Sequence, residues 1–204
     1  MMKKVYLAIL VALVLWTVMF SPLTAPHVNL WLVMTIAAVT LTTMATCFGD
    51  WYKRIHVSAI DVVIGVGSAA VLWGVFWLGD KLSQLMFNFA RPEVNAIYSF
   101  KESISPWLLS LLLLLIIGPA EEIFWRGFVQ QKMSEKWGAN MGFVVATAVY
   151  ALVHAGSCNF MLVMAALVAG GFWGLIYRFY PSRLGALVIS HAVWDAAVFV
   201  WFPI

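Results

Sequence analysis

Charge is scarce in this sequence. Lys, Arg, Asp and Glu supply 10% of its 204 residues and hydrophobic residues 64%, where soluble domains average about 25% and about 45–50%. That imbalance excludes an ordinary soluble domain. The net charge of +3 is small and scattered, with no long Lys/Arg run, so nucleic acid is excluded as a partner. There are only two cysteines, Cys47 and Cys158, and neither belongs to a CxxC pair, which removes disulfide frameworks and Cys-based metal or redox sites from consideration. Low-complexity tracts, internal repeats and a polar domain at either end are also missing. The apolar stretches do not alternate with polar residues, so the strands of a membrane β-barrel are excluded too.

What is present is a series of long apolar runs. About 20 apolar residues cross a ~30 Å hydrocarbon layer, and the sequence reads as seven spans near 5–23, 28–48, 57–78, 107–129, 141–156, 159–179 and 186–203. The expected fold is all-α, a polytopic membrane helix bundle, with residues 1–204 forming a single integral membrane domain. The run after Lys3-Lys4 also resembles a signal peptide, but Ser21–Ala25 lacks a good small-x-small cleavage pattern, so retention as a first transmembrane helix is expected. The segment 79–106 is more polar; Leu82, Leu85, Met86 and Phe89 fall at helical spacing within it. They suggest either a short helix in the interface or, in the preferred reading, a loop helix packed on the bundle.

Orientation follows from Lys/Arg asymmetry. Lys3, Lys4, Lys53, Arg54, Arg126, Lys132, Lys136, Arg178 and Arg183 fall on one side, and Lys81, Arg91 and Lys101 on the other. This predicts a cytoplasmic N-terminus and an odd number of spans. Such spacing places Cys47 and Cys158 at opposite faces, out of reach of each other.

Ionisable groups within the spans stand out because a charge at the bilayer centre costs ~2.5–3.5 kcal/mol on insertion scales. Glu121 and Glu122 follow the run Trp107–Ala120, and Arg126 comes four residues after Glu122. Residues four apart share a helix face, so Glu122 can pair with Arg126 while Glu121, about 100° away, is free to face a cavity. The plainer alternative is that both glutamates cap the cytosolic end of the span. Counting ~1.5 Å per residue from Trp107, however, puts Glu121 about 20 Å into the hydrocarbon.

His191 and Asp195 share a face of the last span. Asp195 could fix the imidazole tautomer, the pair could ligate a metal, or both could be a buried packing pair. His154 is a lone histidine whose spacing leaves its role undecided. It lies about 20 Å from the cytosolic side, against about 10 Å for His191. Asp61 lies one turn from the interface and is left out of the site. Most tryptophans fall near span ends, as an interfacial belt does. Trp125 and Trp194, closer to the polar cluster, could line a substrate groove, but core or lipid-facing packing is the preferred reading. Ala169, Gly170, Gly171 and Gly174 suit close helix packing.

In order along the chain, Glu121-Glu122-x-x-x-Arg126, an aromatic-x-x-x-His154 and His191-x-x-x-Asp195 resemble the motifs of the CPBP family, which includes the CAAX prenyl endopeptidases and the bacterial Abi-type intramembrane proteases. The resemblance covers about Pro119 to Asp195, including the approach Pro181–His191. It implies that Glu121 and His154 activate water and that His191 and Asp195 stabilise an oxyanion or position substrate, with Glu122 and Arg126 in support. Tyr150 stands where that family usually has Phe, and Asp195 where Asn is common. An ionised Asp cannot donate to an oxyanion.

The expected function is thus an intramembrane endopeptidase acting on a membrane-associated protein or peptide, located in a bacterial inner membrane, with the lipid bilayer as its other partner. No cofactor is expected; two His and two carboxylates could alternatively bind Zn²⁺. The other function classes are a proton- or ion-coupled transporter using the same groups as a relay, whose mark would be paired discontinuous spans, and a non-catalytic membrane scaffold.

Overall fold

Backbone N–H and C=O groups have no water to bond in hydrocarbon, so a spanning chain satisfies them within helices. The computed structural model describes residues 2–204, and among them there is no strand. Seven helices are long and apolar enough to cross a membrane: α1 (Met2–Phe20), α2 (Leu30–Phe48), α3 (Ala59–Met86), α5 (Pro106–Trp137), α6 (Ala139–Ser157), α7 (Phe160–Phe179) and α8 (Pro181–Trp201). A short helix, α4 (Ala90–Ser99), lies between α3 and α5.

Their boundaries follow local chemistry. Asn29, Ser58, Ser105 and Asn159 precede α2, α3, α5 and α7, and each side chain accepts a hydrogen bond from a backbone N–H of the first turn, as N-caps do. Asp61 belongs to the cap of α3: it bonds back to Ser58 and meets Arg183 at 3.0 Å. Gly138, at φ +83°, makes the break between α5 and α6, a conformation that glycine reaches without the Cβ penalty.

Two expectations change. The third span does not end near 78 but continues to Met86, so Leu82, Leu85 and Met86 are the last turns of α3. The separate helix in that segment is α4, which packs on α7. It is held there by its own Glu93, whose backbone O accepts from Asn159 and whose carboxylate accepts from the Met161 N–H, each at 2.9 Å. The tryptophans also form less of a belt than expected. Trp16, Trp31, Trp125, Trp173 and Trp194 are buried in the core, beside leucines such as Leu72, Leu113 and Leu187. Cys47 and Cys158 are both free.

Alternation of the spans gathers Lys3, Lys4, Lys53, Arg54, Lys132, Lys136, Arg178 and Arg183 at one end of the bundle. Arg126 leaves that set, being 2% exposed inside the protein. At the Lys/Arg-rich end, Asp50 binds Arg54 at 2.7 Å and Lys132 at 3.4 Å, tying the α2–α3 loop to the foot of α5. Burial works against ionisation of Asp50, but these two cations outweigh it and hold its carboxyl below the usual range.

One core cluster joins α1, α2, α5 and α6 around Trp16, Phe124, Trp125 and Phe128. A second joins α3, α7 and α8 around Leu72, Trp173 and Leu187. The polar residues lie where the two meet. The crossing of α5 and α8 there is very close: a Cβ on Gly118 would sit 2.6 Å from Ala192 Cα and 2.8 Å from Ala192 N. Small residues permit such approach between membrane helices. Around this point α5 is not regular; wide π-type turns at Leu113–Ile117 and Ile123–Gln130 flank Gly118–Glu122. Pro119, with no N–H, leaves a carbonyl in the preceding turn unpaired, and π-type widening is frequent at functional sites.

Gly118→Ala should therefore destabilise the detergent-solubilised protein by the ~1–3 kcal/mol typical of overpacking, seen as a lower melting temperature. Ala at Gly67, whose Cβ would meet nothing within 4 Å, should be tolerated. Equal melting of the two variants would remove the close crossing as a packing constraint.

Candidate active site

The centre of the polar cluster is Glu122, which is fully buried. Its Oε1 accepts from Arg126 Nη1 at 2.7 Å, one turn along α5, and lies 2.9 Å from His191 Nδ1 on α8. Arg126 is also fixed by its other nitrogen, which donates to Gly170 O on α7 at 3.1 Å. Its guanidinium stands over the rings of Tyr150 and Trp173, 5.0 and 5.6 Å from their centroids. Four residues on, Gln130 repeats the contact by donating to Gly174 O at 2.8 Å. Gly170 is needed for the fit, since a Cβ there would lie 2.7 Å from Tyr150 Cδ1. The small residues of α7 thus expose carbonyls to α5 as well as allowing close packing.

Glu121 points elsewhere. Its Oε2 accepts from the Tyr150 hydroxyl of α6 at 3.0 Å, and it lines a cavity of about 510 Å³. The same cavity is bounded by His154, His191 and Asp195. Its remaining wall is largely apolar: Phe20, Leu30 and Trp31 from α1 and α2, Phe76 from α3 and Tyr98 from α4. It extends from the polar cluster to the Lys/Arg-poor end of the bundle, where Asp80, Phe87 and Ile204 border it. Near this end, burial pushes the Tyr98 hydroxyl up, and it accepts from the Ile204 N–H at 3.1 Å.

The depth difference expected between His154 and His191 does not keep them apart, since both border the cavity with Glu121, and α5 is longer than its apolar run. It continues to Trp137, which puts Glu121 about 24 Å above the α5–α6 turn and His154 about 22 Å above it. His191 is clamped between Glu122 and a Trp173 ring stacked on it at 3.9 Å, inclined 17°. Trp173 is held in turn by donating to Ser190 Oγ at 3.0 Å. Asp195 Oδ1 is 3.6 Å from His191 Nε2, too long for a hydrogen bond. The spacing on α8 suggested Asp195 as the group that orients the imidazole; in the structure that partner is Glu122, 69 positions away in sequence. A one-helix pattern cannot reveal a partner on another helix.

His154 sits with both ring nitrogens engaged. Nε2 accepts from the Trp16 indole N–H at 2.8 Å, and Nδ1 lies 2.8 Å from Tyr150 O. An indole nitrogen only donates and a carbonyl only accepts, so the ring is the neutral Nδ1–H tautomer. Sequence reasoning missed Trp16 and the Tyr150–Glu121 bond. Tyr150, four residues before His154, shares its helix face, and that signal was available. Trp16 carries none, being one tryptophan in an apolar span. Trp125 and Trp194 are buried as expected, and Trp194 also borders the cavity.

Among the described residues, no three His, Cys, Asp or Glu side chains come together in a way that could hold a metal ion. His154 spends both nitrogens on Trp16 and Tyr150 and so has none left for Zn²⁺.

Residues 103–197 match the model of the family described as Type II CAAX prenyl endopeptidase Rce1-like. Over these residues the chain is similar to the Rce1-like family. The match takes in Glu121, Glu122, Arg126, His154, His191 and Asp195 and leaves out α1 to α4. No curated protein and no solved structure matches the chain. With its seven apolar helices, the chain is an integral membrane protein, and the match supports a CAAX-type protease.

Arg126→Ala should cost ~3–5 kcal/mol of stability, because a buried ion pair broken on one side strands the other charge. Arg126→Lys should recover only part of it, having no fork to reach Glu122 and Gly170 together. Thermal melting in detergent measures both. If Arg126→Ala melts like the parent and loses only activity, Arg126 acts in the chemistry and not in support.

Proposed function

We propose that this chain is an intramembrane endopeptidase that hydrolyses a peptide bond of a membrane-associated protein or peptide, using water activated by Glu121. One observation carries the reading: Glu121 borders an apolar cavity with one oxygen held by the Tyr150 hydroxyl, while its neighbour Glu122 is turned into the helix junction, with Oε1 held by Arg126 and His191. Placed so, Glu121 takes a proton from water as a general base. The hydroxide adds to the scissile carbonyl, giving a tetrahedral oxyanion. His191, its Nδ1–H given to Glu122, turns Nε2 toward Asp195 Oδ1 at 3.6 Å. A proton carried by either of those atoms, which do not bond each other, supplies the donor that an oxyanion requires. Collapse of the intermediate breaks the C–N bond, and Glu121 returns its proton to the leaving amine. His154, with both nitrogens engaged, braces the site and does not take the water's proton. The apolar wall suits a lipid chain or an unfolded membrane segment beside the scissile bond. The Lys/Arg-rich end faces the cytoplasm in this reading, in a bacterial inner membrane.

Glu121→Gln keeps size and hydrogen bonding but removes the base. Cleavage should fall ~10²–10⁴-fold with melting unchanged, measured in proteoliposomes on a farnesylated CAAX-type peptide and on an unlipidated transmembrane peptide. Near-parental turnover would sink this mechanism, and cleavage of one probe alone tells whether a prenyl group is required. Chelators should leave the parental rate unchanged. Stoichiometric zinc, with activity lost on chelation and restored by zinc, would overturn the metal-free step.

A further inference from the structure

The family match begins at residue 103, yet one bond to the polar cluster comes from the other end of the chain. Trp16 on α1 is 3% exposed, and its indole N–H donates to His154 Nε2 at 2.8 Å. The two rings meet edge-on, with centroids 5.9 Å apart. Trp16 is itself wedged against Trp125 at 6.4 Å, nearly perpendicular, so the indole has a fixed direction. The backbone after His154 is equally close to α1: a Cβ on Gly156 would lie 3.0 Å from Thr17 Oγ1.

We propose that Trp16 is a positioning residue for the hydrolytic site, acting through His154 and, beyond it, Tyr150 and Glu121. An unpaired acceptor in a buried apolar site is costly, so without the indole donor His154 Nε2 would seek another partner. The nearest polar space is the cavity that His154 borders. Trp16 keeps the ring turned to α1. His154 Nδ1–H then holds Tyr150 O, at the base of the side chain whose hydroxyl fixes Glu121 Oε2. The relay runs from α1 through α6 to the base on α5. The first helix thereby contributes to the chemistry, and does not serve only as a membrane anchor. This inference rests on the endopeptidase reading for its kinetic part and on geometry alone for the bond.

The test replaces Trp16 with β-(3-benzothienyl)alanine, which keeps the bicyclic shape and substitutes sulfur for the N–H. Trp16→Phe serves as a second variant. The chain has only four histidines, so ¹⁵N-histidine labelling in nanodiscs gives few signals, with His154→Gln assigning one of them. Loss of the donor should move the His154 Nε2 signal toward that of an unbonded imidazole nitrogen while Nδ1 stays protonated. On the peptide cleaved by the parent, kcat should fall about fivefold, the scale of one net hydrogen bond, with KM unchanged. An unmoved Nε2 signal, or an unchanged kcat in a variant whose signal moves, overturns the positioning role. A rise in KM at constant kcat overturns it as well, since that would make Trp16 part of the substrate wall. If the parent cleaves neither probe, the endopeptidase reading falls and takes the kinetic role with it, while the Nε2 shift still decides whether the bond exists.

Discussion

A carboxylate with no exposure to solvent, surrounded by tryptophan, phenylalanine and alanine, is the constraint on which the rest of this structure depends. Glu122 can remain ionised there only if cations or donors surround it, since desolvating a charge costs several kcal/mol even after relaxation. Arg126 and His191 supply that environment on a single oxygen. Each brings an obligation of its own. The arginine needs the Gly170 carbonyl and two aromatic faces. The histidine needs a helix close enough to deliver it, which the Gly118–Ala192 approach provides. The arrangement of α5, α7 and α8 can be read as the geometry that pairs one oxygen of a buried carboxylate.

That burden separates two chemically identical neighbours. Successive helical residues point about 100° apart, so Glu122 turns into the three-helix junction and Glu121 turns to the cavity. One carboxylate is paired with Arg126 and His191 through a single oxygen, and the other stands beside an apolar space with one oxygen on Tyr150. The division also runs along the chain. The ionisable cluster comes from α5, α6 and α8, within the Rce1-like segment, whereas much of the apolar wall comes from α1 to α4.

Much of this could be read in the sequence. The seven spans were visible because hydrocarbon permits few solutions, and their ends mostly fell within a few residues of those found. The long third and fourth spans were underestimated where polar residues such as Asp80 and Lys132 continue a helix past its apolar run. Glu122–Arg126 was legible because both residues lie on one helix four apart. The partners that cross between helices were not: Glu122 with His191, Tyr150 with Glu121, and Trp16 with His154 are separated by 69, 29 and 138 positions. Periodicity describes a face, and only packing decides which face meets which. Burial of Trp16 and Trp173 was illegible for the same reason, as tryptophan serves equally in a membrane's interfacial belt and in a bundle core.

The Glu122–Arg126 contact has a consequence during synthesis. At about 5–20 residues per second, His191 is made some 3–14 s after Glu122, and Gly170 only slightly sooner. Throughout that interval the fourth span exists with no neighbour able to neutralise it. Because the ion pair is internal to one helix, the segment can enter lipid carrying its own counter-charge and wait for the later spans. A chain that relied on His191 alone to balance Glu122 would have to hold a naked carboxylate at the translocation machinery. The pairing that organises the finished site is thus also what lets the segment bearing it be inserted first.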